Sequence, residues 1–247
     1  MSEPAPGVLG IDQPADKPAV RLRSFSGGYE PDPDWLARHH GFVARARRGN
    51  AELYLMGDSI TDMWATACPE HYQKCFGKWR TVNFAISGDR TEHVLWRLEQ
   101  GEMEGLEPRV VVLLIGTNNL PSVQGVYSAK QPLEVAGGVG EIIRRMRGRW
   151  PGAKILLPSL MPREDRLAAF APAVPEDLNP KVRALNAMIA SMADGACVRF
   201  VDMFDQFLGA DGKLLEGVMP DKLHPAEKGY AIWAGAMLPV LQAWLGG

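Results

Sequence analysis

Cysteine is scarce: the 247-residue chain carries three, Cys68, Cys75 and Cys197. That excludes a dense disulfide framework and a closed four-cysteine zinc site. Cys68 and Cys75 are expected as free thiols, which favours a reducing, cytoplasmic setting. Charge of one sign is also lacking. Lys and Arg number 27 against 29 Asp and Glu, a formal net charge of −2. Nothing there points to nucleic acid or an anionic membrane as partner. No stretch approaches the ~20 apolar residues of a membrane span. The opening "MSEPAPGVLGIDQPADKP" has neither the basic flank nor the apolar stretch of a signal peptide. Secretion after removal of an unseen leader is the alternative. No G-x-G-x-x-G follows an apolar run, and no P-loop lysine motif occurs, so these nucleotide sites are excluded by pattern.

What is present reads as an ordinary folded domain, with 46% hydrophobic and 23% charged residues. Residues 1–30 are rich in Pro, Gly and polar side chains and are expected to form an N-terminal arm or tail. No repeat or shift in composition divides 31–247, which predicts a single domain. Within it, the runs "AELYLMG", "TVNFAISG", "RVVVLLIG", "AKILLPSL" and "CVRFVDM" are continuously apolar, as in strands buried on both faces. Helical patterns lie between them. Asp32 or Asp34 can cap the first, and Val135, Val139, Ile142, Ile143 and Met146 line one face of a later one. In the last, Pro225 suits a first helical position and Pro239 predicts a kink or a break. This alternation predicts an α/β fold: a three-layer α/β/α sandwich with a five-stranded parallel sheet in flavodoxin-like order.

Ligands of such sheets sit beyond the carboxyl ends of the strands. The polar residues there are Asp58-Ser59 after the first run, Gly88-Asp89 after the second and Asn118-Asn119 after the third. Asp221 and His224 precede the last helix. A serine hydroxyl needs a base to become a nucleophile. His39, His40, His71 and His93 fall in helical patterns and read as surface or packing residues. His224 stands three residues after Asp221, a spacing that can set a carboxylate beside an imidazole and stabilise the imidazolium of acyl transfer. The N–H groups of Ser59 and Gly88 and the amide of Asn118 are candidate oxyanion donors. Asp58 is expected to hydrogen-bond the loop presenting Ser59, and Asp89 with Arg90 to form a similar brace. Thr61 and Asp62 read as cap and first-turn residues. Tyr127 and Phe170 lie in two longer stretches expected either to wall the pocket and touch substrate or to anchor surface loops.

"GDSIT", "NFAISGDRTEHVLWRLEQGE", "VVVLLIGTNN" and "DKLHP" resemble, in order, the four blocks of the SGNH (GDSL-type) hydrolase superfamily. The likeness is to the catalytic subunits of intracellular platelet-activating-factor acetylhydrolases and their bacterial relatives. The resemblance runs from about residue 33 to the C-terminus. It implies ester hydrolysis with no cofactor and no metal, with Ser59 as nucleophile, Asp221 and His224 completing a triad, and Ser59, Gly88 and Asn118 forming the oxyanion hole. It implies short acyl groups, acetyl above all, carried by a small molecule or a saccharide, with a platelet-activating-factor-like lipid as the alternative. The resembled subunits pair, so a homodimer is expected. Two rival classes are a metal-dependent phosphoesterase, ligated by Asp58, Asp62, Asp89, Asp221 and His224, and a non-catalytic flavodoxin-like binding domain.

Overall fold

The five apolar runs enter one sheet. The computed structural model describes residues 11–26, 28–120, 123–124, 127–163 and 177–246, with the side chains of 123–124 set aside. An antiparallel hairpin, β1 (Leu22–Phe25) and β2 (Gly28–Pro31), comes first. Asp32 then caps α1 (Pro33–Ala46), its carboxylate accepting the N–H groups of Asp34 and Trp35. β3 (Leu53–Gly57) runs into the short helices α2 (Ser59–Asp62) and α3 (Trp64–Ala67), followed by α4 (Pro69–Phe76). β4 (Thr81–Asn83), α5 (Thr91–Arg97) and β5 (Val110–Leu114) follow. A small hairpin, β6 (Val123–Gln124) and β7 (Tyr127–Ser128), precedes α6 (Pro132–Arg149). β8 (Lys154–Pro158), α7 (Asn179–Ala190), β9 (Val198–Val201) and α8 (Glu227–Leu245) complete the order.

The main sheet runs β4-β3-β5-β8-β9, every neighbouring pair parallel. This is the flavodoxin-like order, flanked by helices as a three-layer α/β/α sandwich. The direction of winding reverses between β3 and β5, the place in such sheets beyond whose carboxyl ends ligands bind. The strands can be uniformly apolar because helices cover both faces: every residue of β3 and of β5 is buried. Val135, Val139, Ile142, Ile143 and Met146 of α6 are all buried, as their spacing predicts.

Three details differ from expectation. β4 is only three residues long, but two further bonds, Phe84 N–H to Leu55 O (2.9 Å) and Ile86 N–H to Gly57 O (3.3 Å), carry its chain along β3 to the sheet rim. α8 begins two residues beyond Pro225, with Ala226 as its cap. It also runs unbroken through Pro239. That ring sits on the exposed side while Trp233, Met237, Leu241 and Leu245 are buried, so packing on both sides of the proline holds the helix across the lost bond. The three cysteines are free thiols, with Cys75 buried.

The segment ahead of α1 is laid along the domain. Ile11 bridges to Tyr127, Ala19 N–H donates to Glu92 O (3.0 Å), and Asp12 pairs with Lys130. The Tyr127 hydroxyl accepts the N–H of Leu22 and donates to its carbonyl (3.3 Å). This brings residues 21 and 22 to the rim that also carries the ends of β3, β4 and β5.

Candidate active site

The bend after β3 is enforced sterically. A Cβ on Gly57 would stand 2.3 Å from Thr61 Oγ1 and 2.6 Å from Leu114 O, so only glycine fits. Asp58 is extended and caps α2: Oδ1 accepts the N–H of Ile60 (3.0 Å), and its carbonyl accepts those of Thr61 (3.1 Å) and Asp62 (2.9 Å). The expectation that Asp58 braces the loop presenting Ser59 describes these bonds. Burial pushes the Asp58 carboxyl up to about 7 against the opposing bond from Ile60. Ser59 thus becomes the first residue of α2, with 8% of its surface exposed.

His224 meets Ser59 from 165 positions away: Nε2 lies 2.9 Å from Oγ. Its other nitrogen, Nδ1, lies 2.7 Å from Asp221 Oδ2. Asp221 Oδ1 accepts the backbone N–H groups of Leu223 (3.0 Å) and His224 (2.7 Å), which folds the D-x-x-H stretch into a turn that fixes carboxylate and ring together. Burial pushes the Asp221 carboxyl up, but the bonds from the His224 ring and from these backbone N–H groups outweigh it, so it stays below its ordinary value. With Nδ1–H directed at the carboxylate, Nε2 is the acceptor facing the serine hydroxyl.

Gly88 sits in a tight turn closed by Asp89 N–H to Ile86 O (3.0 Å), at φ +81°. The loop is held from several sides. Asp62 Oδ2 accepts both the N–H (3.0 Å) and the hydroxyl (2.7 Å) of Ser87. Arg38 grips that carboxylate through Nη1 (2.8 Å) and Nη2 (2.7 Å). Arg21 Nη1 donates to Ser87 O at 2.6 Å. Asn118, in the single 3-10 turn after β5, donates from Nδ2 to Asp89 O (2.9 Å). Its neighbour Asn119 accepts the N–H of Thr91 (3.2 Å) and donates to Glu92 (2.8 Å), pinning the start of α5. Arg163, buried behind this turn, donates to Thr117 O at 2.9 Å.

Asp89 and Arg90, expected to form a brace like that of Asp58, bond to separate partners. Asp89 accepts from Trp35 Nε1 (2.6 Å) and from Arg97 Nε (3.0 Å), whereas Arg90 turns to Glu92 (2.6 Å) and Ser128 O (3.0 Å). Arg97 lies two helical turns along α5 and faces inward, where it also meets Glu102 (2.6 Å). Burial raises the Asp89 carboxyl to about 6, with Arg97 and Trp35 opposing it. Tyr127 is a buried anchor: its hydroxyl is taken by Leu22, and its ring packs on His93 (5.0 Å) and beneath Arg90 (5.1 Å). Phe170 lies outside the described residues. His39 and His93 are buried packing residues and His40 is exposed.

The side chains required by a metal-dependent phosphoesterase are dispersed over separate partners: Asp62 to Arg38 and Ser87, Asp89 to Arg97 and Trp35, Asp221 to His224. Among the described residues no three His, Cys, Asp or Glu side chains are grouped as metal ligands would be. Sequence reasoning missed Arg21, Arg38, Arg97 and the bracing role of Asp62. Only Asp62 carried a signal, one turn beyond Ser59 on the same helix face. Among the described residues no helix is long and apolar enough to cross a membrane.

The chain is similar to known proteins in sequence and in fold. Residues 55–232 match the model of the GDSL-like lipase/acylhydrolase family. Platelet-activating factor acetylhydrolase IB subunit alpha1 of Bos taurus is 33% identical over 224 residues, 90% of this chain and 87% of that one. Among solved structures, a GDSL-like lipase of Bacteroides thetaiotaomicron superposes with a TM-score of 0.66 at 19% identity, covering 85% of this chain and 98% of its own. An acetyl xylan esterase gives 0.62 at 17%, covering 77% and 99%. At those identities the structural likeness speaks for the fold.

Proposed function

Because the chain belongs to the GDSL-like lipase/acylhydrolase family, we propose that it is a serine esterase of short-chain, chiefly acetyl, esters, working through Ser59, His224 and Asp221. The observation that carries this reading is the continuous relay from Ser59 Oγ to His224 Nε2 (2.9 Å) and from Nδ1 to Asp221 (2.7 Å). His224 takes the hydroxyl proton as Ser59 Oγ attacks the ester carbonyl. The N–H groups of Ser59 and Gly88 and the Asn118 amide hold the oxyanion that forms. Collapse expels the alcohol, which takes its proton from the imidazolium. Water, deprotonated by His224, then releases the acid and restores the serine. Residues 31–247 act as one catalytic domain in this reading, with 1–30 as its arm.

Acetyl is favoured because the 33%-identical relative is an acetylhydrolase by name and a structure sharing the fold is an acetyl xylan esterase. The alcohol is an acetylated carbohydrate in the first reading. The relative's name favours a second, an acetylated ether lipid of the platelet-activating-factor type. Turnover of acetyl, butyryl and octanoyl aryl esters measures acyl length, and acetate released from acetylated xylan against platelet-activating factor measures the alcohol. A fluorophosphonate should add once, at Ser59, by mass spectrometry. Ser59→Ala should abolish that adduct and lower turnover by roughly 10⁶-fold. Near-native turnover by Ser59→Ala would overturn the assignment.

A further inference from the structure

Gly88 contributes a backbone N–H, and a backbone N–H has no side chain to aim it. Its direction is set by the Ser87–Gly88 peptide plane. That plane occupies the middle of the Ile86–Asp89 turn, and φ +81° at Gly88 is the value a type II turn demands at its third position. The middle peptide is also the unit that rotates when a turn passes between types I and II, which would swing its N–H to the other side. No peptide bond among the described residues is cis, so the Ser87 carbonyl and the Gly88 N–H point in opposite directions. Whatever grips the carbonyl therefore aims the N–H.

The group that grips it is Arg21. Nη1 donates to Ser87 O at 2.6 Å, across 66 positions of sequence. The guanidinium is seated closely over Gly88: a Cβ there would stand 3.1 Å from Nη1, 3.2 Å from Nη2 and 3.3 Å from Cζ. Its approach is fixed as well. Asp32 lies 3.5 Å from Nε, the N–H of Asp32 donates to Arg21 O (2.9 Å), and the next residue, Leu22, is held at both backbone groups by Tyr127. Asp62 fixes the N–H and the hydroxyl of Ser87, and Asn118 fixes the carbonyl of Asp89, two residues on. The Ser87 carbonyl between them is held by Arg21. A cationic donor on the carbonyl also polarises the amide and strengthens its N–H as a donor.

We propose that Arg21, from the segment ahead of the first hairpin, is a positioning residue for the oxyanion hole: it locks the Ser87–Gly88 peptide so that the Gly88 N–H is presented to the developing negative charge. This rests on the reading of Gly88 as an oxyanion donor. Arg21 lies outside the residues that match the family model, 55–232, so a segment beyond the matched core completes the catalytic loop. Docking of residues 11–31 and competence of the oxyanion hole become one event.

The test uses the full chain with 4-nitrophenyl acetate and a fluorophosphonate. Arg21→Gln should lower kcat about 10- to 100-fold, up to the loss of one oxyanion donor, with KM within about twofold. Phosphonylation of Ser59 should slow by a similar factor, because the phosphonyl oxygen uses the same donors. Arg21→Lys, which keeps charge and one donor direction, should recover part of kcat. Millimolar guanidinium should restore kcat to Arg21→Ala. Arg23→Ala, two residues on in β1 and paired with Glu30, controls for the loss of a neighbouring arginine and should keep wild-type kcat. Wild-type kcat in Arg21→Gln overturns the proposal, as does a loss confined to Tm or KM, or a failure of guanidinium to rescue. Ser59→Ala separates the two levels. If it is inactive and unlabelled while Arg21→Gln is fully active, only the role of Arg21 falls. If Ser59→Ala stays active, the esterase reading itself falls.

Discussion

Asp221 holds His224 at two places, one oxygen on the ring nitrogen at 2.7 Å and the other on the backbone N–H at 2.7 Å. In the proposed mechanism the first contact acts on catalysis, and the second shapes the turn. Asp221→Asn separates them. The amide oxygen can still accept from the backbone, but the charge that stabilises an imidazolium is gone, and the ring loses the partner that selects its tautomer. We expect kcat for an acetyl ester to fall about 10⁴-fold with a circular dichroism spectrum unchanged from wild type. Loss of less than tenfold would mean that the carboxylate shapes the loop and nothing more.

The same carboxylate carries a pH signature. Its folded-state pKa lies below the ordinary value, so ionised Asp221 favours the folded state above the unfolded pKa, and this contribution disappears as pH falls through the lowered folded value. Acid unfolding of wild type and Asp221→Asn should therefore converge at low pH and separate as pH rises towards about 4, the gap holding above that, wild type being the more stable. Parallel curves across that window would count against a native-state bond to the charged form.

Asn118 has two effects that the same substitution removes together. Its amide is the proposed oxyanion donor, and Nδ2 also ties the 3-10 turn to Asp89 O. Asn118→Ala should lower kcat about 100- to 1,000-fold with little change in KM. It should also lower the unfolding free energy by about 1–3 kcal/mol, the cost of leaving a buried acceptor unpaired. A stability loss without the loss in kcat would leave Asn118 a brace for the loop and remove it from the oxyanion hole.

The ease with which these residues are found in the sequence follows from the range of the forces that place them. β3 and β5 are legible because burial on both faces demands an unbroken apolar run, and periodicity is local information. Ser59, Gly88 and Asn118 are legible because they follow successive strands, and a parallel sheet gathers strand ends at one rim. Asp221 and His224 are three residues apart, so their turn is nearly local too. Arg21 is not legible in this way. It lies in a Pro- and Gly-rich stretch without period, and its contact with Ser87 depends on how that stretch is pinned by Tyr127 and Asp32. Arg97 was hidden differently: on α5 it reads as a solvated helix charge, and its burial shows only once α5 is packed. Pro239 does not end the helix, because the local rule for a helix breaker ignores the burial of Trp233 and Met237 before it and Leu241 and Leu245 after it.

Asp58 offers a test of how the bend before Ser59 tolerates charge. Its carboxyl is raised to about 7 by burial, whereas an unfolded aspartate ionises near 3.8. Between those values the unfolded chain releases a proton that the folded chain retains, so this group favours folding at low pH and loses that contribution as pH rises to about 7. Asp58→Asn keeps an acceptor for the Ile60 N–H and cannot ionise. Its stability relative to wild type should climb between pH 4 and 7 and level off above, by at most about 4 kcal/mol. Urea unfolding at pH 4, 6 and 8 checks this. A constant difference at all three would show that Asp58 ionises normally within the fold.

Arg97 is the point at which buried charge could fail most severely. Its guanidinium sits between Asp89 (Oδ2, 3.0 Å from Nε) and Glu102 (Oε1, 2.6 Å from Nη1), and all three side chains are fully buried. Glu102 accepts the Tyr54 hydroxyl (2.8 Å) and faces His39, while Asp89 also accepts the Trp35 indole N–H, so both carboxylates keep partners even without the arginine. The Tyr54 hydroxyl and the Trp35 indole are neutral donors and do not cancel two negative charges. Arg97→Met, close in volume, should therefore destabilise by about 3–5 kcal/mol, because it leaves uncompensated charge in the core. Adding Asp89→Asn and Glu102→Gln to Arg97→Met removes that charge and should recover most of the loss at pH 7. Recovery should be smaller at pH 5: Arg97 opposes the burial that raises the Asp89 carboxyl to about 6, so without it the carboxyl is raised further and is already protonated there in the single variant. If the triple variant is no more stable than Arg97→Met at pH 7, the arginine contributes packing and its hydrogen bond to Phe84 O (2.9 Å), and charge balance is not its role.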